Sequence, residues 1–161
     1  KKRERMKDLI IRKGEIGDMQ DVLVMIKELA KFENAEQEVN TTVNQLKQDG
    51  FGSKVLFEVI IAEYKNEICG YAFFYQGYST WKGATLYLED IMIKPKLRRK
   101  GFGGVLFKEI IEVAKKREVK RLDWQVLDWN SSAIAFYEKY KATLDGKWLN
   151  GRLFELDLKN F

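Results

Sequence analysis

The chain has 161 residues, 45% apolar and 33% charged, a composition suited to one globular domain and too balanced for disorder. It has one cysteine, Cys69, so no internal disulfide can form, and it has no histidine, which excludes Ser/His and Cys/His triads, histidine bases and nearly all zinc sites. A formal charge of +5 suits phosphate binding but is too mild to point to nucleic acid.

Lys1–Arg5 reads as a frayed basic tail with no apolar segment behind it, unlike a signal peptide, and we set 1–8 apart from a single domain over 9–161. Leu9–Arg12 predicts a short first strand. Asp18 is placed to cap a helix carrying Val22, Met25, Ile26 and Leu29 at helical spacing. A shorter helix is expected from Thr41 or Thr42 to just before Gly50. Val55–Ala62 and Ile68–Tyr75 read as a hairpin turning at Lys65–Glu67, and Ala84–Ile93 as a third strand stopped by Lys94–Pro95. A glycine-rich loop then opens an amphipathic helix with Phe102, Val105, Leu106, Ile110 and Val113 on one stripe. Arg121–Leu127 predicts a strand, and Asn130 or Ser131 caps a helix through Tyr140. Strands are expected at Ala142–Asp145 and Arg152–Leu158. No apolar run approaches the roughly 20 residues of a membrane span. Strand–helix alternation flanked by hairpins makes this a mixed α/β sheet in one domain.

The informative stretch is Arg98-Arg99-Lys100-Gly101-Phe102-Gly103-Gly104, between a strand and a helix. A glycine turn at a helix N-terminus offers unpaired N–H groups and the positive dipole end to a phosphate, or is simply a tight turn with solvated cations. A Walker A loop would need Gly-Lys-Ser/Thr, and the dinucleotide fingerprint a third glycine where Leu106 stands. Glu89 and Asp90 interrupt an apolar strand; carboxylates there call for a cation, either a structural Lys or Arg or a bound amine. Tyr137, beside Phe136 on a helix, reads as core on its own. The acids of Glu33–Glu38 read as a solvated face or as a local attraction for cations, and Cys69 as buried and inert.

Arg98-x-x-Gly101-x-Gly103 resembles the pyrophosphate loop of the GNAT superfamily of acetyl-CoA-dependent N-acetyltransferases. Five further strings, Lys27–Glu33, Asp49–Gly52, Tyr78–Gly83, Tyr87–Asp90 and Leu127–Asn130, are similar to the spermidine/spermine N-acetyltransferase group, and the third and fifth to its thialysine Nε-acetyltransferase branch. The resemblance spans about residues 9 to 155. It implies a GNAT fold: a mostly antiparallel sheet with splayed central strands, flanked by helices. It further implies that Ile91, Met92, Ile93, Arg98, Arg99, Lys100, Gly101, Phe102, Gly103, Gly104, Asn130, Ser131, Ala133 and Tyr137 contact acetyl-CoA. Phe32, Glu33, Glu89, Asp90 and Trp124 would contact the amine. Glu89 would take the amine's proton through water, Ile91 N–H would polarise the thioester oxygen, and Tyr137 would serve the leaving sulfur.

The single cysteine makes the reducing cytosol or nucleus the default home, and we expect a cytoplasmic protein. The family implies a homodimer acting on a small-molecule amine, and no metal, nucleic acid or membrane is expected. The Gly146–Gly151 loop is less acidic than family members we compare it with and carries Lys147, which favours a lysine-like amine such as thialysine over spermidine or spermine. A protein or peptide acetyltransferase is the alternative, and a non-catalytic CoA-binding or nucleic-acid-binding module ranks below it.

Overall fold

The computed structural model describes residues 6–160. Contacts divide the chain into two compact units, one running to Gln125 and one starting at Val126.

The first unit holds a five-stranded sheet in the order β1-β2-β3-β4-β5. The strands are β1 (Leu9–Lys13), β2 (Glu58–Tyr64), β3 (Glu67–Ser79), β4 (Gly83–Ile93) and β5 (Arg121–Asp123). Neighbours from β1 to β4 run antiparallel, and β4 and β5 run parallel through the crossover helix α3 (Phe102–Lys116). The β2–β3 hairpin turns at Lys65 and Asn66, both with positive φ (54° and 65°), the backbone a two-residue hairpin needs to match strand twist.

Alternation along the strands makes two cores. Val59, Ile61, Tyr71 and Met92 meet Met19, Val22 and Met25 of α1 (Met19–Phe32) and Leu46 of α2 (Val43–Phe51). The opposite face receives α3, whose Phe102, Leu106, Phe107 and Ile110 are buried.

Several elements differ from expectation, each for a local reason. Asp18 stands at the N-cap position of α1 as expected, but its side chain makes no capping bond. Its carboxylate accepts from Arg12 Nη1 and Nη2 at 2.7 and 2.8 Å and from Glu15 N–H at 2.7 Å, a bidentate charged contact that outcompetes a cap. That contact holds the Asp18 carboxyl below its usual range. Helix α2 is capped by Thr42, whose hydroxyl accepts from Gln45 N–H at 3.1 Å, but it runs past Gly50 to Phe51. Gly50 makes room for the Phe57 ring, which a Cβ would strike. The strand expected over Val55–Ala62 begins at Glu58 and extends to Tyr64. β5 stops at Asp123, four residues short of Leu127 in the expected Arg121–Leu127.

The second unit holds α4 (Ser131–Glu138) and α5 (Glu155–Lys159) and, among the described residues, no strand. Asn130 caps α4, its side-chain oxygen accepting from Ala133 N–H at 3.2 Å. The strands expected at Ala142–Asp145 and Arg152–Leu158 are therefore corrected. Phe154/Leu158 and Glu155/Lys159 lie four apart and fit a helical turn as well as their alternation fits a strand. The Asp157 carboxylate accepts from Phe154 N–H at 2.9 Å and closes that turn locally, whereas a strand needs a partner edge.

Gly70 lies on β3 opposite Ile93, where a Cβ would run into the Met92 carbonyl oxygen and Ile93 Cδ1. Gly70→Ala should destabilise the fold by about 1–3 kcal/mol, read as a lowered urea midpoint at unchanged slope.

Candidate active site

The site grows out of β4, where the ladder with β3 slips. Phe73 lies opposite Asp90 and Phe74 opposite Leu88, so Glu89 is an extra, unpaired residue. Adjacent residues of a regular strand point to opposite faces; a bulge brings two to one side. The hydrogen bonds show that it does so here. Tyr71 and Tyr75, four apart on β3 and therefore on one face, donate their hydroxyls to Asp90 Oδ2 at 3.2 Å and to Glu89 Oε2 at 3.3 Å. Of the two acids that interrupt this apolar strand, Glu89 is exposed, where the bulge turns it out, and Asp90 is half-buried.

The acids sit close enough to feel one another. Asp90 is pushed up to about 6 by burial, by the charge of Glu89 and by that of Glu33, against the hydrogen bond from Tyr71. Burial raises Glu33 at the end of α1, and burial with the Glu89 charge raises Tyr75 to about 12. Among the described residues no Lys or Arg pairs with Glu33, Glu89 or Asp90. Among the described residues these acids therefore make no structural ion pair, one of the two partners open to Glu89 and Asp90 on sequence grounds.

The same stretch of β4 has an open edge. Pairing with β5 ends at Tyr87–Asp123, which is the expected splay. Lys94 N–H donates to Cys69 O at 2.8 Å, so by antiparallel alternation Ile91 and Ile93 turn their N–H and C=O away from β3. Arg98 Nε donates to Ile93 O at 2.9 Å on that edge. The Arg98 guanidinium also lies 5.6 Å from the Phe32 ring centre. Sequence placed Arg98 at the phosphate loop and Phe32 at the amine; the structure joins them.

The glycine turn follows at once. Arg99 (φ 60°) and Gly101 (φ 90°) take left-handed backbone, and α3 begins without a side-chain cap. The amides of Phe102 and Gly103 precede the first available helical acceptor, and Gly103 and Gly104 carry no Cβ over them. With Arg99 and Lys100 alongside, this chemistry fits a diphosphate. Phe102 can offer only its backbone, because its ring is buried against Tyr64 at 5.0 Å. Met92 and Ile93 are likewise buried side chains.

Trp124, expected near the amine, packs edge-on to Phe107 of α3 at 5.6 Å. In the second unit, Asn130, Ser131 and Ala133 form the first turn of α4, and Tyr137 is buried on that helix with Phe136 5.2 Å away. Sequence reasoning passed over Tyr71 and Tyr75; their spacing of four on one strand was readable, but that they meet the acids shows only in the strand register.

The sequence profile of the Acetyltransferase (GNAT) family matches residues 24–141, and the chain belongs to that family; it is an acyltransferase. Its relatives include the thialysine Nε-acetyltransferases of Bos taurus, 36% identical over 138 residues (81% of each chain), and of Caenorhabditis elegans, 40% identical over 119 residues (74% of this chain, 73% of the relative). The fold is shared with an integron cassette protein of V. cholerae at a TM-score of 0.77 and 21% identity, covering 95% of this chain and 96% of that one. No described helix is long and apolar enough to cross a membrane.

Asp90 carries a stability consequence. Its folded value of about 6 lies above its ordinary 3.8, so the cost of its charge is absent below about pH 4, grows through pH 6 and is complete above. Asp90→Asn should therefore stabilise the protein at pH 7 by up to about 3 kcal/mol and change little at pH 4, as measured by urea unfolding at both values.

Proposed function

We propose that the protein transfers an acetyl group from acetyl-CoA to the primary amine of a small cationic substrate, thialysine or a related lysine-like amino acid ahead of a diamine or polyamine, in one ternary complex. The observation that carries this reading is the group of three acids, Glu33, Glu89 and Asp90, that pairs with no cation of the described chain while adjoining the open edge of β4. Such a group is stabilised by a bound ammonium ion. The names of the relatives and the lysine in the Gly146–Gly151 loop support the lysine-like acceptor.

When bound, acetyl-CoA would supply the acyl group as an activated thioester. The amides of Phe102 and Gly103, with Arg99 and Lys100, would hold its pyrophosphate at the N-terminus of α3, where Gly101 and Gly104 leave room for its close approach. Arg98 is committed to Ile93 O and Phe32, so it shapes the turn and brings charge more than it grips phosphate. The Ile91 N–H, directed to the open edge, would donate to the thioester oxygen as negative charge gathers there. An alkylamine with a pKa near 10 must lose a proton before it attacks, and Glu89 would accept that proton through a water molecule. Glu33 and Asp90 would hold the cation in place, with Phe32 beside it; the place of Trp124 at the amine rests on the resemblance. The roles of Tyr137 at the departing sulfur and of Asn130, Ser131 and Ala133 along the cosubstrate rest on the resemblance alone.

The reading carries with it a cytoplasmic homodimer. Leu149 (96% exposed), Trp148 (74%) and Leu156 (72%) are exposed apolar side chains of the second unit, of the kind a partner subunit covers.

The test is thiol release from acetyl-CoA over thialysine, lysine, putrescine, spermidine and a histone peptide. Turnover is expected first with the lysine-like amines; release with the peptide alone would replace this reading by a protein acetyltransferase, and none with any amine would remove it. Glu89→Gln should raise the amine KM by about tenfold or more with the acetyl-CoA KM held. Tyr137→Phe should lower kcat by about 100-fold, as measured in steady-state kinetics.

A further inference from the structure

The two tyrosines that meet the acids are not equivalent. Tyr75 is half-buried, and its hydroxyl meets Glu89 at the protein surface. Tyr71 is fully buried within the core made with Met19, Val22, Met25 and Leu46, where phenylalanine would fill nearly the same space. A hydroxyl costs stability there unless it has a partner, and its partner is Asp90 Oδ2, at 3.2 Å. The buried phenol is therefore aimed at one carboxyl of the acid group.

We propose that Tyr71 is a positioning residue of the acceptor site: its hydroxyl fixes Asp90 on the face shared with Glu89 and keeps that carboxyl in the ionised form that receives an ammonium group. The inference rests on the amine-acceptor reading above. The charged and titratable groups that face Asp90 are Glu89 beside it on β4, Glu33 from the end of α1, and Tyr71 on β3, with Tyr75 reaching the same group through Glu89. Burial, Glu89 and Glu33 all favour a proton on Asp90, and the hydrogen bond from Tyr71 opposes them. The phenol itself stays protonated, since burial and the nearby acids hold it well above its ordinary value. It donates a hydrogen bond and transfers nothing.

The experiment is kcat/KM for the best amine against pH, for the wild type, Tyr71→Phe, Asp90→Asn and the double variant. The wild type should show a break near pH 6, where Asp90 gains its proton. Tyr71→Phe should move that break up by about one pH unit while leaving the KM for acetyl-CoA unchanged. In the Asp90→Asn background the same substitution should have no further effect on the profile. A role confined to packing would lower stability and leave the break in place, and that result would overturn the proposal.

Should Tyr71→Phe fail to fold, 3-fluorotyrosine placed at position 71, a stronger donor of nearly the same shape, decides: the break should move down, whereas an unmoved break would overturn the proposal, as would an unchanged profile in Asp90→Asn. A wild type without amine turnover overturns the acceptor reading and this inference together. Wild-type turnover with an unmoved break overturns the inference alone.

Discussion

A β-strand alternates its side chains between two faces, so it can present two neighbouring carboxylates to one ligand only where that alternation fails. In β4 it fails at Glu89. The extra residue there sets Glu89 beside Asp90, opposite Tyr75 and Tyr71. Regular pairing would have sent one of the two acids to the face covered by α3. The acid group, its tyrosine partners and its approach to Glu33 all depend on that single slip of register.

The strand then serves a second purpose over the next few residues. Pairing with β5 is lost past Tyr87, and alternation directs the Ile91 N–H to the edge left open. The chain turns at Lys94–Pro95 into the cationic glycine loop. An acidic group and a basic one therefore adjoin opposite ends of a short run of backbone. Arg98, from the basic loop, is bonded to Ile93 O and lies over Phe32, the chain neighbour of Glu33. The formal charge of +5 conceals this division, since it sums cations around α3 with acids near the end of α1. Glu89 and Glu33 disfavour the charge on Asp90, a cost in the free protein that a bound cation would relieve.

Much of this arrangement was legible in the sequence. β1, the hairpin turn at Lys65–Asn66, the long third strand and the amphipathic helix α3 follow from periodicity and turn chemistry. The glycine turn was readable because Gly101 and Gly103 stand at fixed offsets from Arg98 before a helical pattern. The bulge was not, for a register slip changes no residue type and shows itself only against a partner strand. Glu89 and Asp90 were visible as acids in an apolar strand, but their common face was not, nor were the tyrosines that hold them. Asp18 shows the same limit: as a cap it satisfied every local rule, yet Arg12 and Glu15 claimed its carboxylate. At the C-terminal end, alternation and helical spacing both fit Arg152–Leu158, and a local capping bond decided between them.

The central claim is that the acids gathered by the bulge receive the acceptor's cation. A crystal structure with coenzyme A and a non-reactive lysine-like amine tests it most directly. The account predicts an ammonium group within hydrogen-bonding distance of both Glu89 and Asp90, with the pyrophosphate at the amides that open α3. An ammonium group seated elsewhere, with Glu89 and Asp90 still bonded only to Tyr75 and Tyr71, would contradict it.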